Sequence, residues 1–71
     1  MLEHLRGLRE VADKSQKEMA ELLHVHQTTY SGYELGTCNI PVASLIKLAR
    51  LFGTSTDYLL GRTDNPSPPR A

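Results

Sequence analysis

SQKEMAELLHVHQTTYSGYELG fills residues 15–36, and the remainder of the chain can be placed around it. Ser15 and Glu18 have the spacing of a capping box. The hydroxyl can accept from the amide of residue 18 while the carboxylate reaches back to the amide of residue 15. Met19, Ala20, Leu22 and Leu23 then recur at helical spacing and define an apolar face. His24-Val25-His26 separates this first pattern from a second one opening at Gln27. Tyr30 and Tyr33 fall on one side of the second pattern, and Gln27, Thr28 and Ser31 on the other. Gly36 is a helix stop. The prediction is two short helices joined by a tight turn, the second running over residues 27–35.

Working toward the N-terminus, Met1 to Ala12 reads as a further helix. Leu2, Leu5, Leu8 and Ala12 form one apolar stripe. Arg6 and Glu10 have i, i+4 spacing and make a surface pair worth a few tenths of a kcal/mol at most. Gly7 weakens the helix and marks a place where another helix is expected to come close. Asp13-Lys14 links this helix to the next.

Toward the C-terminus, Thr37 to Ile40 is a loop and Pro41 is suited to open a helix, where its missing amide costs nothing. Val42, Leu45, Ile46, Leu48, Ala49, Leu51 and Phe52 give that helix a broad apolar face and a central place in the core. Lys47 and Arg50 project outward, and Gly53 stops the helix. Ser55 caps a last short helix, with Asp57 favourably placed in its first turn. Tyr58, Leu59 and Leu60 either pack back or meet a partner. The tail RTDNPSPPRA, residues 62–71, has three prolines and reads as disordered. The expected organisation is a single all-α domain over residues 1–61 followed by this tail.

Seventy-one residues allow one domain at most. The 39 % hydrophobic content is adequate for a small globule, and stability should be modest unless the chain dimerises. No apolar run of about 18 residues and no signal-peptide pattern is present, so a soluble, cytoplasmic protein without membrane contact is expected. Cys38 is the only cysteine, which excludes an internal disulfide and a cysteine-rich zinc site. His24 and His26, two residues apart with no cysteine or carboxylate cluster, make a poor metal site. No metal and no cofactor are expected. No nucleophile lies beside a base, no carboxylates pair in a cleft and no glycine loop cradles a phosphate, so an enzyme is not expected.

The order of several motifs resembles the lambda-repressor-like (Xre/Cro-type) helix-turn-helix family. Leu8-Arg9, Ser15-Gln16, Met19-Ala20, Tyr33-Glu34-Leu35-Gly36, Leu45-Ile46-Lys47-Leu48-Ala49 and Asp57-Tyr58-Leu59-Leu60 match the family pattern in sequence and spacing, from roughly Leu2 to Gly61. The resemblance implies a compact five-helix, all-α DNA-binding domain with the helix-turn-helix at its second and third helices. It also implies a sequence-specific transcriptional regulator, most often a repressor, binding double-stranded DNA as a homodimer.

The resemblance further assigns residues. The first helix of the motif would lie across the DNA backbone and the second would enter the major groove. Gln16 matches a glutamine that touches a phosphate and braces the recognition helix; read alone, it is a plain surface glutamine. Gln27 carries both a donor and an acceptor, which suits adenine, and Thr28 offers a methyl to thymine. Ser31 is one turn on, and His26 precedes the helix within reach of phosphate. The alternative for each is a solvated polar side chain; contact is the favoured reading for Gln27 and Thr28, while for Ser31 and His26 the two readings are balanced. Thr37 and Asn39 stand where relatives hold phosphates with basic residues. Arg9 matches an arginine that pairs with the glutamate ending the recognition helix, here Glu34. Without the resemblance, two separate solvated charges are the better reading; with it, the pair is.

Two departures stand out. His24 replaces a turn glycine at a position expected to be left-handed, which histidine tolerates better than most residues. Gly32 replaces a long polar side chain and can read nothing itself. The net charge of zero is also unusual, because phosphate neutralisation supplies most non-specific affinity for duplex DNA. It keeps a second reading open: a protein-interaction module, such as an antitoxin or anti-repressor, on the same fold.

Overall fold

The computed structural model describes residues 2–68. Met1 and residues 69–71, the first position of the expected N-terminal helix and the end of the expected tail, lie outside the described residues. Among the described residues five helices follow in order: α1 Glu3–Val11, α2 Gln16–Leu23, α3 Gln27–Leu35, α4 Val42–Phe52 and α5 Thr56–Leu59. The described residues contain no strand. The architecture is the expected all-α, five-helix one, with α2 and α3 as the tightly joined pair.

Every helix contributes to one core. Leu5, Met19, Leu23, Tyr30, Tyr33, Leu48 and Leu59 are buried together, and Leu2, Leu8, Val25, Ile40, Leu45 and Phe52 pack around them. The α1 stripe ends before Ala12, which is the exposed C-cap of a helix that stops at Val11. Gly7 does not mark a close approach, since a Cβ there would meet nothing within 4 Å. The apolar face of α4 is narrower in use than in sequence. Leu48 and Ala49 are its buried residues, whereas Val42, Ile46 and Leu51 are exposed. So small a domain has too little neighbouring surface to cover a helix that is apolar over most of its circumference. Pro41 is not the first helical residue but the N-cap before it, with an extended ψ of 146°.

Polar ties hold the helices in place. Lys47 Nζ on α4 donates to the Leu22 carbonyl at 2.7 Å, near the C-terminal end of α2, where carbonyls lack intrahelical partners. The Leu2 amide donates to the Glu34 carbonyl at 2.7 Å, fastening the chain's entry to the end of α3. Ser55 Oγ accepts the Tyr58 amide at 3.0 Å and caps α5. Leu59 is fully buried, and the Tyr58 ring stacks on His4 with centroids 4.0 Å apart. Of the closing Tyr58-Leu59-Leu60, Leu60 is therefore the residue left open. Residues 62–68 are largely exposed and meet the body at two points: Thr54 Oγ1 donates to the Pro66 carbonyl at 2.7 Å, and His4 Nε2 meets Asp64 Oδ1 at 3.2 Å.

Candidate nucleic-acid interface

The start of α2 is fixed by a complete capping box. The Glu18 amide donates to Ser15 Oγ at 3.0 Å, and the Ser15 amide donates to Glu18 Oε1 at 3.1 Å. The Ser15 amide also holds the Glu18 carboxyl below its ordinary pKa. The helix ends at His24, which is left-handed with φ 57° and ψ 43°. The Val25 amide then returns to the Ala20 carbonyl at 3.0 Å, and half-buried Val25 packs against the core. The chain enters α3 through His26, whose side chain caps nothing.

The two sides of α3 differ sharply. Tyr30 and Tyr33 are buried and meet edge to face, with centroids 6.2 Å apart and planes at 73°. Their spacing in sequence gave them this core role. His26, Gln27 and Thr28 are exposed at the opposite end and side, and Ser31 is half-buried. Thr37 and Asn39 are exposed in the loop that follows.

One polar cluster carries the angle between α1, α2 and α3. Arg9 Nε donates to Glu34 Oε2 at 2.7 Å and Arg9 Nη2 to Glu34 Oε1 at 3.3 Å, a two-pronged pair. Arg9 Nη1 donates to the Lys14 carbonyl at 2.9 Å. Gln16 Nε2 donates to Glu34 Oε1 at 3.2 Å, so α2 joins the same carboxylate. Glu34 is only 2 % exposed. Burial pushes its pKa up, but Arg9, the nearby Tyr30 hydroxyl and Gln16 together hold it below the ordinary carboxylate value. The bond to Glu34 raises the Arg9 pKa in turn. Tyr30 Oη lies buried beside the Glu34 carboxylate, and its geometry meets no hydrogen-bond partner among the described residues. Burial, with the Glu34 carboxylate next to it, drives its pKa up and keeps the hydroxyl protonated.

The resemblance assigns Gln16 to bracing the recognition helix, and the bond that does so is the one to Glu34. Gly32 is more than a lost side chain: it is buried, and its carbonyl collects the amides of Gly36, Thr37 and Cys38 at 2.9, 3.0 and 3.1 Å. A glycine in a helix interior was the available signal, because glycine serves where another segment must come close.

Electrostatically this face is unusual. No lysine or arginine occurs from Glu18 to Ile46, a stretch that includes most of α2 and all of α3. The nearest cations in sequence are Lys14 and Lys17 on one side and Lys47 and Arg50 on the other.

Two helices set at a tight left-handed joint, the second with its first turn open and its far end braced by a buried ion pair, define a helix-turn-helix unit. The chain belongs to the helix-turn-helix family, whose model matches residues 5–59. It is 38 % identical over 66 residues to the uncharacterized HTH-type transcriptional regulator YobD of Bacillus subtilis, covering 93 % of this chain and 59 % of that protein. It is 38 % identical over 60 residues to the HTH-type transcriptional regulator ImmR of the same organism, covering 84 % and 47 %. Control protein C.SmaI of Serratia marcescens is 32 % identical over 62 residues, covering 87 % of this chain and 74 % of that protein. The chain thus spans only about half the length of YobD and ImmR. No solved structure matches the chain significantly. No described helix is long and apolar enough to cross a membrane.

Proposed function

We propose that this domain is the DNA-reading part of a sequence-specific transcriptional regulator, a repressor that acts by occupying its operator in the cytoplasm. The observation that carries the reading is the open first turn of α3, with Gln27 and Thr28 exposed, on a helix clamped by Arg9, Gln16 and Glu34. Clamping matters because base readout needs side chains held in fixed register with the groove. Gln27 presents its carboxamide to adenine, Thr28 its methyl to thymine, and Ser31 reaches a base or a phosphate. Gln16, His26, Thr37 and Asn39 bond the backbone and set the register. The names of YobD and ImmR as transcriptional regulators support the same role. Two copies bind a two-fold symmetric site, their recognition helices about 34 Å apart in successive major-groove turns. Exposed Leu60 is the part of the closing segment available to the partner copy. Catalysis has no part in this reading.

Selection of DNA from a random pool at low salt tests it. An enriched two-fold symmetric site is expected, and Gln27→Ala should blur one position in each half-site. Each misread base pair costs about 1–3 kcal/mol in such interfaces. Affinity should fall gently with salt, since each neutralised phosphate contributes a slope of about −0.9 and this face has few cations. An unselective pool would overturn the proposal. It would favour the second reading, a protein-interaction module, which the cation-free stretch from Glu18 to Ile46 supports.

A further inference from the structure

The loop after α3 fills the space beside Gly32, beyond the amides that cap its carbonyl. Gly32 shares its side of α3 with Thr28, one turn further from the helix start. A Cβ at Gly32 would stand 2.5 Å from Cys38 Sγ and 3.1 Å from both Cys38 Cβ and Thr37 Oγ1. By contrast, a Cβ at Gly7, the other helical glycine, would meet nothing within 4 Å. Two loop side chains therefore occupy the space in which a side chain of residue 32 would rise. Both loop residues remain exposed on their outer side. The three amides converging on the Gly32 carbonyl hold the loop in that position.

We propose that Gly32 is a positioning residue, and that Thr37 and Cys38 form the far end of the DNA-reading face in place of a side chain at 32. The inference rests on the DNA-reading function proposed above. The recognition surface then has two parts: Gln27 and Thr28 from the first turn of α3, and Thr37 and Cys38 from the loop. Chemically the loop pair adds the Thr37 methyl and the thiol-bearing methylene of Cys38 for thymine methyls, while the Thr37 hydroxyl keeps its backbone phosphate. The absence of a side chain at 32 is thus not a gap in the reading face. It is the condition for the loop to enter it.

The test is selection from a random DNA pool with wild type, Thr37→Ala, Cys38→Ala, Gly32→Ala and the double variant Gly32→Ala/Cys38→Ala, alongside thermal melts. Thr37→Ala and Cys38→Ala should keep the melting temperature and blur only the half-site positions facing the end of α3. The positions sensitive to Gln27→Ala should stay sharp. Gly32→Ala should bind the wild-type site about tenfold more weakly, the equivalent of one misread base pair. In the Cys38→Ala background the same substitution should cost about threefold or less, because the closest obstacle, Sγ, is gone. Gly7→Ala is the control and should leave the selected site unchanged. If wild type selects a site and both loop variants select the identical one, the inference is wrong although the DNA-reading function stands. If Gly32→Ala does not fold, the two loop variants still decide. If wild type selects nothing, the underlying function fails instead.

Discussion

The buried and open sides of α3 belong to one nine-residue helix and obey different rules. On the buried side, Tyr30, Tyr33 and Glu34 meet the core and the Arg9–Gln16 clamp. On the open side, Gln27 and Thr28 face solvent. The first set fixes where the helix lies; the second is free to be chosen for what it touches. Stability and recognition are thereby assigned to different residues of the same element, and substitutions should separate them.

The largest effect belongs to the clamp. Arg9→Ala leaves the Glu34 carboxylate buried without its two-pronged partner. Removing one member of a buried pair costs about 3–5 kcal/mol, a large share of the stability of a domain this small. A chemical-denaturation curve of Arg9→Ala should show that loss. A midpoint equal to wild type would mean that the pair is incidental and that the two sides of α3 are not energetically distinct.

Acid should reach the same cluster by a different route. The Glu34 carboxyl sits below its ordinary pKa in the fold, so the unfolded chain takes up its proton first as pH falls. The stabilisation is complete above the ordinary carboxylate value, about 4.3. It is lost as pH falls toward and through the lower folded value. Stability measured from pH 7 down to pH 3 should decline below that range, and Glu34→Gln should flatten that part of the decline even though its baseline is lower. An unchanged acid slope in Glu34→Gln would assign acid sensitivity to other carboxylates, such as capped Glu18.

How much of this was legible in the sequence follows from how local each interaction is. The capping box at Ser15 and Glu18, the Tyr30–Tyr33 spacing and the Gly36 stop act within one or two turns, and each could be read from the chain alone. The breadth of the α4 apolar face could be read too, but not its use. Which of Val42, Ile46 and Leu51 is covered depends on the neighbours folding supplies. The Arg9–Glu34 pair joins residues 25 apart and was visible only through the family resemblance. The Gly32–Cys38 approach was missed for a subtler reason. It lies six positions apart in sequence but depends on the left-handed Gly36, with φ 83°, which turns the loop back over the helix. The contact made by Pro66 was hidden by composition. Residues 62–71 are proline-rich and polar and read as tail, and nothing in that composition points to the one bond in which the Pro66 carbonyl accepts from the buried Thr54 hydroxyl.

The smallest expected effect on stability is the most informative for the comparison. Gln27→Ala removes an exposed side chain from the first turn of α3. Surface substitutions of this kind change stability by no more than about 0.5 kcal/mol, and alanine's better helix propensity works in the variant's favour. A thermal melt should therefore be nearly superimposable on wild type, while the selected DNA site loses definition. The pairing of those two results separates the rules. If Gln27→Ala melted several degrees lower, the open side would be structural after all, and any loss of DNA selectivity could be ascribed to a loosened helix. If it melted normally and selected the wild-type site, Gln27 would be solvated surface and the reading would pass to Thr28 and the loop. Only an unchanged melt with a blurred site places recognition on a residue that the fold does not need.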